Sequence, residues 1–475
     1  MSTGSLTLPG GPETSGTRYS YWLATRLILL LLASLLTVCT LGHFYGIVGL
    51  SLVWSIYVFY HPDDGLWVMP GLVMVAGFIS PPDGFKWGAG YSPELVYWAI
   101  GFCFVLIAML CRYFWPARQA RAGEEKSAVM APPRALYVLA AMSVVAAGVG
   151  LAHGYVLENV AKQLYGCALL CGYFLFALKF TPKLDDVERI LNRLIIVGVI
   201  WSLVYLVIYL YQVPTLGLHK DLTVLSSYSG GLTVLLLPRL LTTNIRFKRG
   251  RTIAMALTLF AVPLLTMYKR GVAACCLCAY LAWALRSRSQ RKRWLAVAAA
   301  FLAFTLAVST SMLNPIGRWF SKYPSLDYLF PEDIQSNYSV FLRIEEMRQV
   351  IDSLGGVPIL GTGLGSTITW YDPYTGIVWE QEYIDVGWGY LLVKMGIIGT
   401  AIFIWLVGSL VVDALRKPID GVHLALFLLL IYHLVQMVAD TLFVSFVTAA
   451  WAGTACGFLY IFNKGTAASP RGVTA

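Results

Sequence analysis

Lys269 and Arg270 interrupt an apolar run, "LLTMYKRGVAACC" at 264–276, and are the only charged residues between Arg251 and Arg286. Adjacent cations in apolar surroundings suit an oxygen-rich anion, and arginine's planar fork suits phosphate. A third candidate, Arg343, heads the stretch "RIEEMRQVI". On a wheel of 100° per residue from Ser339 to Leu354, Val340, Ile344, Met347, Val350, Ile351 and Leu354 share one arc, and Arg343 falls inside it. Glu345, Glu346, Gln349 and Asp352 fall outside, and Arg348 borders these acids, so Arg348 reads as a surface, ion-paired residue. Three carboxylates, Glu380, Glu382 and Asp385, precede the next apolar run in "EQEYIDVGWGYLLVK". Beside an anion site, a carboxylate could take the proton of a hydroxyl nucleophile. Plainer roles compete at each position. Lys269 and Arg270 could snorkel to headgroups, Arg343 could pair with a loop carboxylate, and Asp385 could cap a helix.

The composition dictates what must position these groups. The chain of 475 residues is 58% hydrophobic and 13% charged, with a mean hydropathy of +0.69, whereas soluble domains carry about 25% charged residues. Apolar runs long enough to cross about 30 Å of hydrocarbon recur throughout, without the two-residue alternation of a barrel. The expected fold is an all-α polytopic membrane protein with about 14 transmembrane helices (12–14) and one large outer loop containing an amphipathic helix. The helices read as roughly 22–41, 43–60, 67–80, 93–115, 135–152, 156–178, 194–211, 223–244, 252–268, 271–285, 294–312, 386–412, 421–440 and 442–462. The organisation is a polar, disordered N-terminus over 1–20, membrane helices over 21–312, a large loop over 313–385, membrane helices over 386–462 and a tail over 463–475. No small-residue cleavage site follows the first apolar run, so the N-terminus does not read as a signal peptide.

Basic residues orient the bundle. With the N-terminus inside, the connections at 116–134, 179–193, 245–251, 286–293 and 413–420 are cytoplasmic and hold "ARQARAGEEK", "KFTPKLDDVERILNR", "RFKRGR", "RSRSQRKR" and "RKPID". Most of the 35 Lys and Arg residues lie on this side, as the positive-inside rule requires, and both termini share it. Residues 252–285 as one helix would measure about 51 Å, too long for one crossing. Two crossings that turn at Met267–Gly271 put Lys269 and Arg270 outside, against the charge bias.

Several chemistries are excluded. "RSRSQRKR" and "RFKRGR" stand where topology demands cations, so they call for no nucleic-acid partner. "CCLC" at 275–278 lacks metal-ligand spacing and reads as structural thiols. "GTGLGS" at 361–366 lacks the GxGxxG spacing and a surrounding βαβ pattern, so it reads as a glycine turn re-entering the membrane surface. HExxH, Walker and GxSxG motifs are absent.

In order, spacing and outer-face location these motifs resemble the O-antigen ligase and O-antigen polymerase superfamily of bacterial integral-membrane glycosyltransferases. "YKRG" (Tyr268–Gly271) is similar to the family's short outer Ser-Arg-Gly-like turn. "RIEEMRQVI…PILGTGLG" is similar to its arginine-headed loop helix followed by Pro-Leu-Leu-Gly-x-Gly. The family's last marked position stands eleven residues before a Gly-x-x-Gly, and Gly396-Ile397-Ile398-Gly399 puts it at Asp385. The match spans about 250 to 412. Ligases carry histidine there, and no histidine occurs in 313–385, so the likeness leans to the polymerase branch.

The resemblance implies a bacterial inner-membrane enzyme whose large loop is periplasmic. Its donor would be a glycan on undecaprenyl pyrophosphate in the outer leaflet, with membrane lipid, a flippase and a chain-length regulator as further partners and no nucleic acid. Arg270 and Arg343 would bind the pyrophosphate, Lys269 would assist, and Asp385 would orient or deprotonate a sugar hydroxyl. Glu382, Tyr383 and Trp388 would line the substrate, and Trp370, Tyr371, Tyr374 and Trp379 could stack on sugars or form an interfacial belt. The donor is pre-activated, so the scheme requires neither cofactor nor metal. Ligase-type transfer to a lipid or protein acceptor is the nearer alternative. A glycan transporter is the alternative of another class, for which internal repeats and broken helices would be the marks. No repeat is visible, and Glu158 and Lys162 make an i,i+4 pair. Other polyprenyl-dependent glycosyltransferases carry paired acids in a large first outer loop, which is almost missing near Gly42.

Overall fold

A computed structural model describes residues 43–68, 93–115, 130–181, 183–216, 223–242, 246–265, 269–286, 289–313, 345–356, 358–372, 376–381, 384, 386–417, 419, 421–437 and 446–465. The expected span at 22–41, nearly all of that at 67–80, and residues 314–344 lie outside these. The described chain is mostly helical. Helices α1 (His43–Tyr60), α2 (Pro93–Phe114), α3 (Arg134–Ala152), α4 (Leu157–Phe180), α5 (Leu184–Leu216) and α6 (Thr223–Thr242) are followed by α7 (Arg246–Leu265), α8 (Lys269–Ala284) and α9 (Gln290–Leu313). The loop adds a helix over 345–353, here α10, and strands β1 (Ile368–Tyr371) and β2 (Val378–Gln381). Helices α11 (Gly387–Leu415), α12 (Gly421–Gln436) and α13 (Phe446–Gly465) complete the order.

Among the described residues four helices are long and apolar enough to cross a membrane: α3, α4, α5 over Leu184–Val207, and α11. Shorter apolar stretches lie in α1, α2, α7, α8 and α12, and the chain is membrane-embedded. Its helices are apolar nearly all round, as lipid on one side and packed helices on the other require. The core gathers Phe174, Tyr173, Leu232, Leu428, Phe427 and Phe458. Gly453 and Gly457 of α13 lie against Leu170 and Phe174 of α4, the small-residue spacing that lets helix backbones approach in lipid.

The bundle has two unlike ends. At one, Arg189 meets Asp63 at 2.9 Å, Arg193 pairs with the buried Asp64, and Arg239 stands 3.5 Å from Glu188. There too Arg293 donates to Leu415 O at 2.9 Å, Lys417 donates to Asn463 O, and Lys464 stands 3.6 Å from Asp413. Arg112, Lys179, Arg239 and Lys464 occupy the last turns of α2, α4, α6 and α13, where cations favour the helix dipole. At the other end the C-terminus of α3, the start of α4 and the start of α11 meet the loop. Cysteines placed at 325 and 375, with the native cysteines replaced, are expected to react with an impermeant thiol reagent added to intact cells. One at 289 is expected to stay unlabelled, and labelling there would reverse the orientation.

The loop differs from the sequence reading in two respects. It carries an antiparallel hairpin, Trp370 facing Trp379 in register, where only helix and turn were expected. Glu346, placed outside the apolar arc, is 2% exposed while Leu354 is 38% exposed. The reason is the hairpin: Gln381 donates to Glu346, and Gln349 exchanges bonds with the Tyr371 backbone at 2.9 and 2.8 Å. Arg348 is exposed and bonds Glu345 at 2.6 Å. These bonds, with that from Gln349, hold the Glu345 carboxyl below the usual range.

Candidate functional site

The centre of the loop end is a break in α11. Gly396 stands at φ 69°, ψ −171°, so α11 is two helices, 387–395 and 397–415. In an unbroken helix residues 388 and 403 would lie about 22 Å apart, yet the Trp388 and Phe403 rings are edge-on with centroids 5.8 Å apart. The first segment therefore folds toward the second. It packs with the loop in a small core of its own, Val350, Ile368, Ile384 and Val393 with Met347 and Val386.

A break exposes backbone groups that lipid cannot satisfy, and residues 358–366 satisfy them. Ile397 N donates to Pro358 O at 3.0 Å and Ile398 N to Ile359 O at 3.2 Å, which caps the second segment. Thr362 N donates to Val393 O at 2.8 Å and Gly363 N to Lys394 O at 3.2 Å, which caps the first. The segment then crosses to α3 and α4: Leu364 N donates to Ala146 O at 2.9 Å, and Gly365 N to Gln163 Oε1 at 2.8 Å. Gly361, Gly363 and Gly365 all have positive φ. A β-carbon at Gly361 would overlap Lys394 O, and one at Gly363 the Gly150 backbone. This glycine run is thus a strap that closes a broken helix. Its N–H groups are spent on carbonyls and a side-chain amide, which is why it is no phosphate loop.

Lys394, in the first segment, has 0% exposure. Its Nζ donates to Ser366 Oγ at 2.7 Å and to Ser366 O, and Thr362 Oγ1 stands 2.9 Å from the same hydroxyl. A buried ammonium is tolerated only with such bonds, so Lys394 locks strap to helix. Sequence reading passed over it because it sits within an apolar run. A charge inside a membrane segment is itself the signal that could have found it.

The predicted residues fall as follows. Lys269 and Arg270 are the first two residues of α8, and their side chains lie outside the described residues, as do Arg343, Glu382, Tyr383 and Asp385. Trp388 is half-buried against the bundle. Trp370 is 8% exposed, whereas Tyr371 and Trp379 are exposed on the hairpin. Tyr374 is outside the described residues. The N-cap of α11 is Val386, with no side-chain cap bond, and Gly387 N donates to Met437 O at 2.9 Å. Asp385 thus stands one residue ahead of the cap position.

The heads of α8 and α11 belong to the same end. Arg293, at the start of α9, bonds the C-terminus of α11, so α8 ends and α12 begins at the basic end, and the two helices run antiparallel. Their register is set by Cys278 Sγ on Leu428 O at 3.4 Å and Cys275 Sγ on Gly230 O at 3.5 Å, beside Tyr432. Counted upward from there, Arg270 is level with Gln436, next to the Met437 carbonyl that receives Gly387 N. The chain matches no family model, no curated protein and no solved structure.

Proposed function

We propose that this chain is a polyprenyl-pyrophosphate-dependent glycosyltransferase. It would polymerise undecaprenyl-pyrophosphate-linked oligosaccharide repeats at the periplasmic face of a bacterial inner membrane, as do the O-antigen polymerases it resembles. One observation carries the reading: the head of α8, with Lys269 and Arg270, stands level with the start of α11, which Asp385 precedes, at the end opposite the basic connections. Two motifs of the resemblance, Gly361-x-Gly363 and Gly396-x-x-Gly399, are also contact partners across the break, which accounts for their joint presence.

In this scheme Arg270 and Arg343 hold the donor pyrophosphate and stabilise the charge it gains on leaving. A sugar hydroxyl of the incoming repeat attacks the anomeric carbon, the bond from that carbon to the phosphate oxygen breaks, and the hydroxyl proton passes to Asp385. The break in α11 does not favour a transporter. Residues 397–415 alone span about 28 Å, a full crossing, so the break lies at the membrane edge, whereas transporter helices break near the midplane.

The full chain, purified into vesicles with undecaprenyl-pyrophosphate-linked repeats, is expected to give a ladder of multiple repeats with no nucleotide added. Transfer of single repeats to a lipid acceptor, without a ladder, would instead mark ligase-type activity. Passage of the glycan across the vesicle without bond formation would mark a transporter.

A further inference from the structure

Arg193, Arg239, Arg293 and Lys417, buried or half-buried at the basic end, each have a carboxylate or carbonyl partner. Arg112 and Lys179 are half-buried at the same end, yet neither side chain makes an ion pair or a hydrogen bond among the described residues. They are held beside each other instead. Lys179 Nζ of α4 stands 3.8 Å over the Tyr113 ring of α2, and that ring packs against Phe176 and Phe180 with centroids 5.8 and 6.4 Å apart. Arg112, the residue before Tyr113, is close enough for its charge to act on Lys179 directly.

Two like charges held close repel, and partial burial strengthens the repulsion. The last-turn carbonyls of α2 and α4 offset about half a charge each, which leaves the pair with about one net positive charge. Tyr60, Phe114 and Trp115, at and just past the ends of α1 and α2, are exposed, and Trp115 meets Phe59 edge-on at 6.1 Å. Exposed Tyr and Trp at the ends of apolar helices mark the headgroup level of a bilayer. The cation pair therefore lies at the depth where the bilayer itself presents phosphate.

The chain's own acids are the competing partners. Asp186, just past α4, is taken by Arg189 at 3.0 Å, and Asp185 is exposed and makes no ion pair among the described residues. Glu124 and Glu125 belong to the connection at 116–129, outside the described residues, together with Arg118, Arg121 and Lys126. That connection holds more cations than acids, so it adds to the positive charge of this corner. Clusters of Lys and Arg beside membrane helices attract anionic lipid. We infer that the α2–α4 corner at the basic end binds an anionic phospholipid, its phosphate held between the Arg112 guanidinium and the Lys179 ammonium. The guanidinium supplies two parallel donors and the ammonium a point charge, while the Tyr113 ring fixes the ammonium in place. The site does not rest on the proposed function, and activity is not its readout.

The test titrates the purified full chain, in a neutral detergent, with phosphatidylglycerol and separately with phosphatidylcholine. Bound lipid is read by native mass spectrometry and stability by thermal unfolding. The wild type is expected to bind phosphatidylglycerol about thirtyfold more tightly, since each cation near the surface is worth about fivefold. Arg112→Gln and Lys179→Gln are each expected to weaken phosphatidylglycerol about fivefold, and the double variant to lose the preference. Lys179→Arg keeps the charge and is expected to retain affinity; a loss there equal to that of Lys179→Gln overturns the electrostatic account. Without lipid, Arg112→Gln is expected to unfold at or above the wild-type temperature, because it relieves repulsion and breaks no bond. A lower temperature there, matched by Glu124→Gln/Glu125→Gln, makes the connection's acids the partners and overturns the site. Equal wild-type affinity for the two lipids overturns it, as does unchanged affinity in the double variant. Equal stabilisation by inorganic phosphate and by phosphatidylglycerol overturns the lipid as its ligand.

Discussion

Asp385→Asn is expected to slow polymerisation at least about a hundredfold while leaving wild-type protein levels in the membrane. Asparagine nearly matches aspartate in shape and caps helices equally well, but it cannot accept a proton at neutral pH. Loss of a cap costs about 0.5–2 kcal/mol of stability, whereas loss of a general base raises the barrier by roughly 3–5 kcal/mol. The geometry of α11 already weakens the capping role. Its N-cap is Val386, and the Gly387 N–H is satisfied by Met437 O. Rates measured with purified lipid-linked repeat decide the matter. Glu380→Gln is expected to do less damage, since Glu380 is exposed on β2 opposite Thr369. Glu382→Gln should behave likewise. A near wild-type rate for Asp385→Asn would move the base to Glu382 or remove it from the mechanism.

The second large effect concerns the arginines. Arg270→Ala and Arg343→Ala are each expected to abolish long glycan while lipid-linked single repeats accumulate and the protein remains inserted. Lysine at either position should restore little, because a point charge cannot make two parallel bonds to phosphate oxygens. Arg343 stands four and seven residues before Met347 and Val350, which pack on Gly389 and Val393 of the first α11 segment. Full-length glycan from both alanine variants, analysed by gel from cells, would remove pyrophosphate binding from the account.

Much of this architecture is readable from residue order, and what escapes has a common cause. Long apolar runs announce the spans, and the cations of "RFKRGR" and "RSRSQRKR" announce which helix ends gather together. The break at Gly396 leaves a fainter mark, because residues 386–412 are apolar apart from Lys394 and nothing local distinguishes a glycine that bends from one that packs. Its cause lies in Pro358 and Ile359, which cap the second segment from the far side of the hairpin. The burial of Glu346 depends on Gln381, 35 residues away, and the wheel of α10 cannot contain it. Helical periodicity reports one face of one element, and each missed feature is a relation between elements.

The strap also bears on how the chain is made. Its anchors on α3 and α4 are synthesised far earlier, Gln163 preceding Gly365 by 202 residues, and its other anchor, the break in α11, is synthesised last of the three. Residues 358–366 therefore leave the ribosome with one half of their docking surface in place and the other not yet translated. The strap can seat only after 397–415 has entered the bilayer, so the joining of the early helices to the late ones is a closing event in biogenesis. A truncated chain ending before Gly396 would keep the anchors at Ala146 and Gln163 and lose the bonds of Ile397 and Ile398 to Pro358 and Ile359.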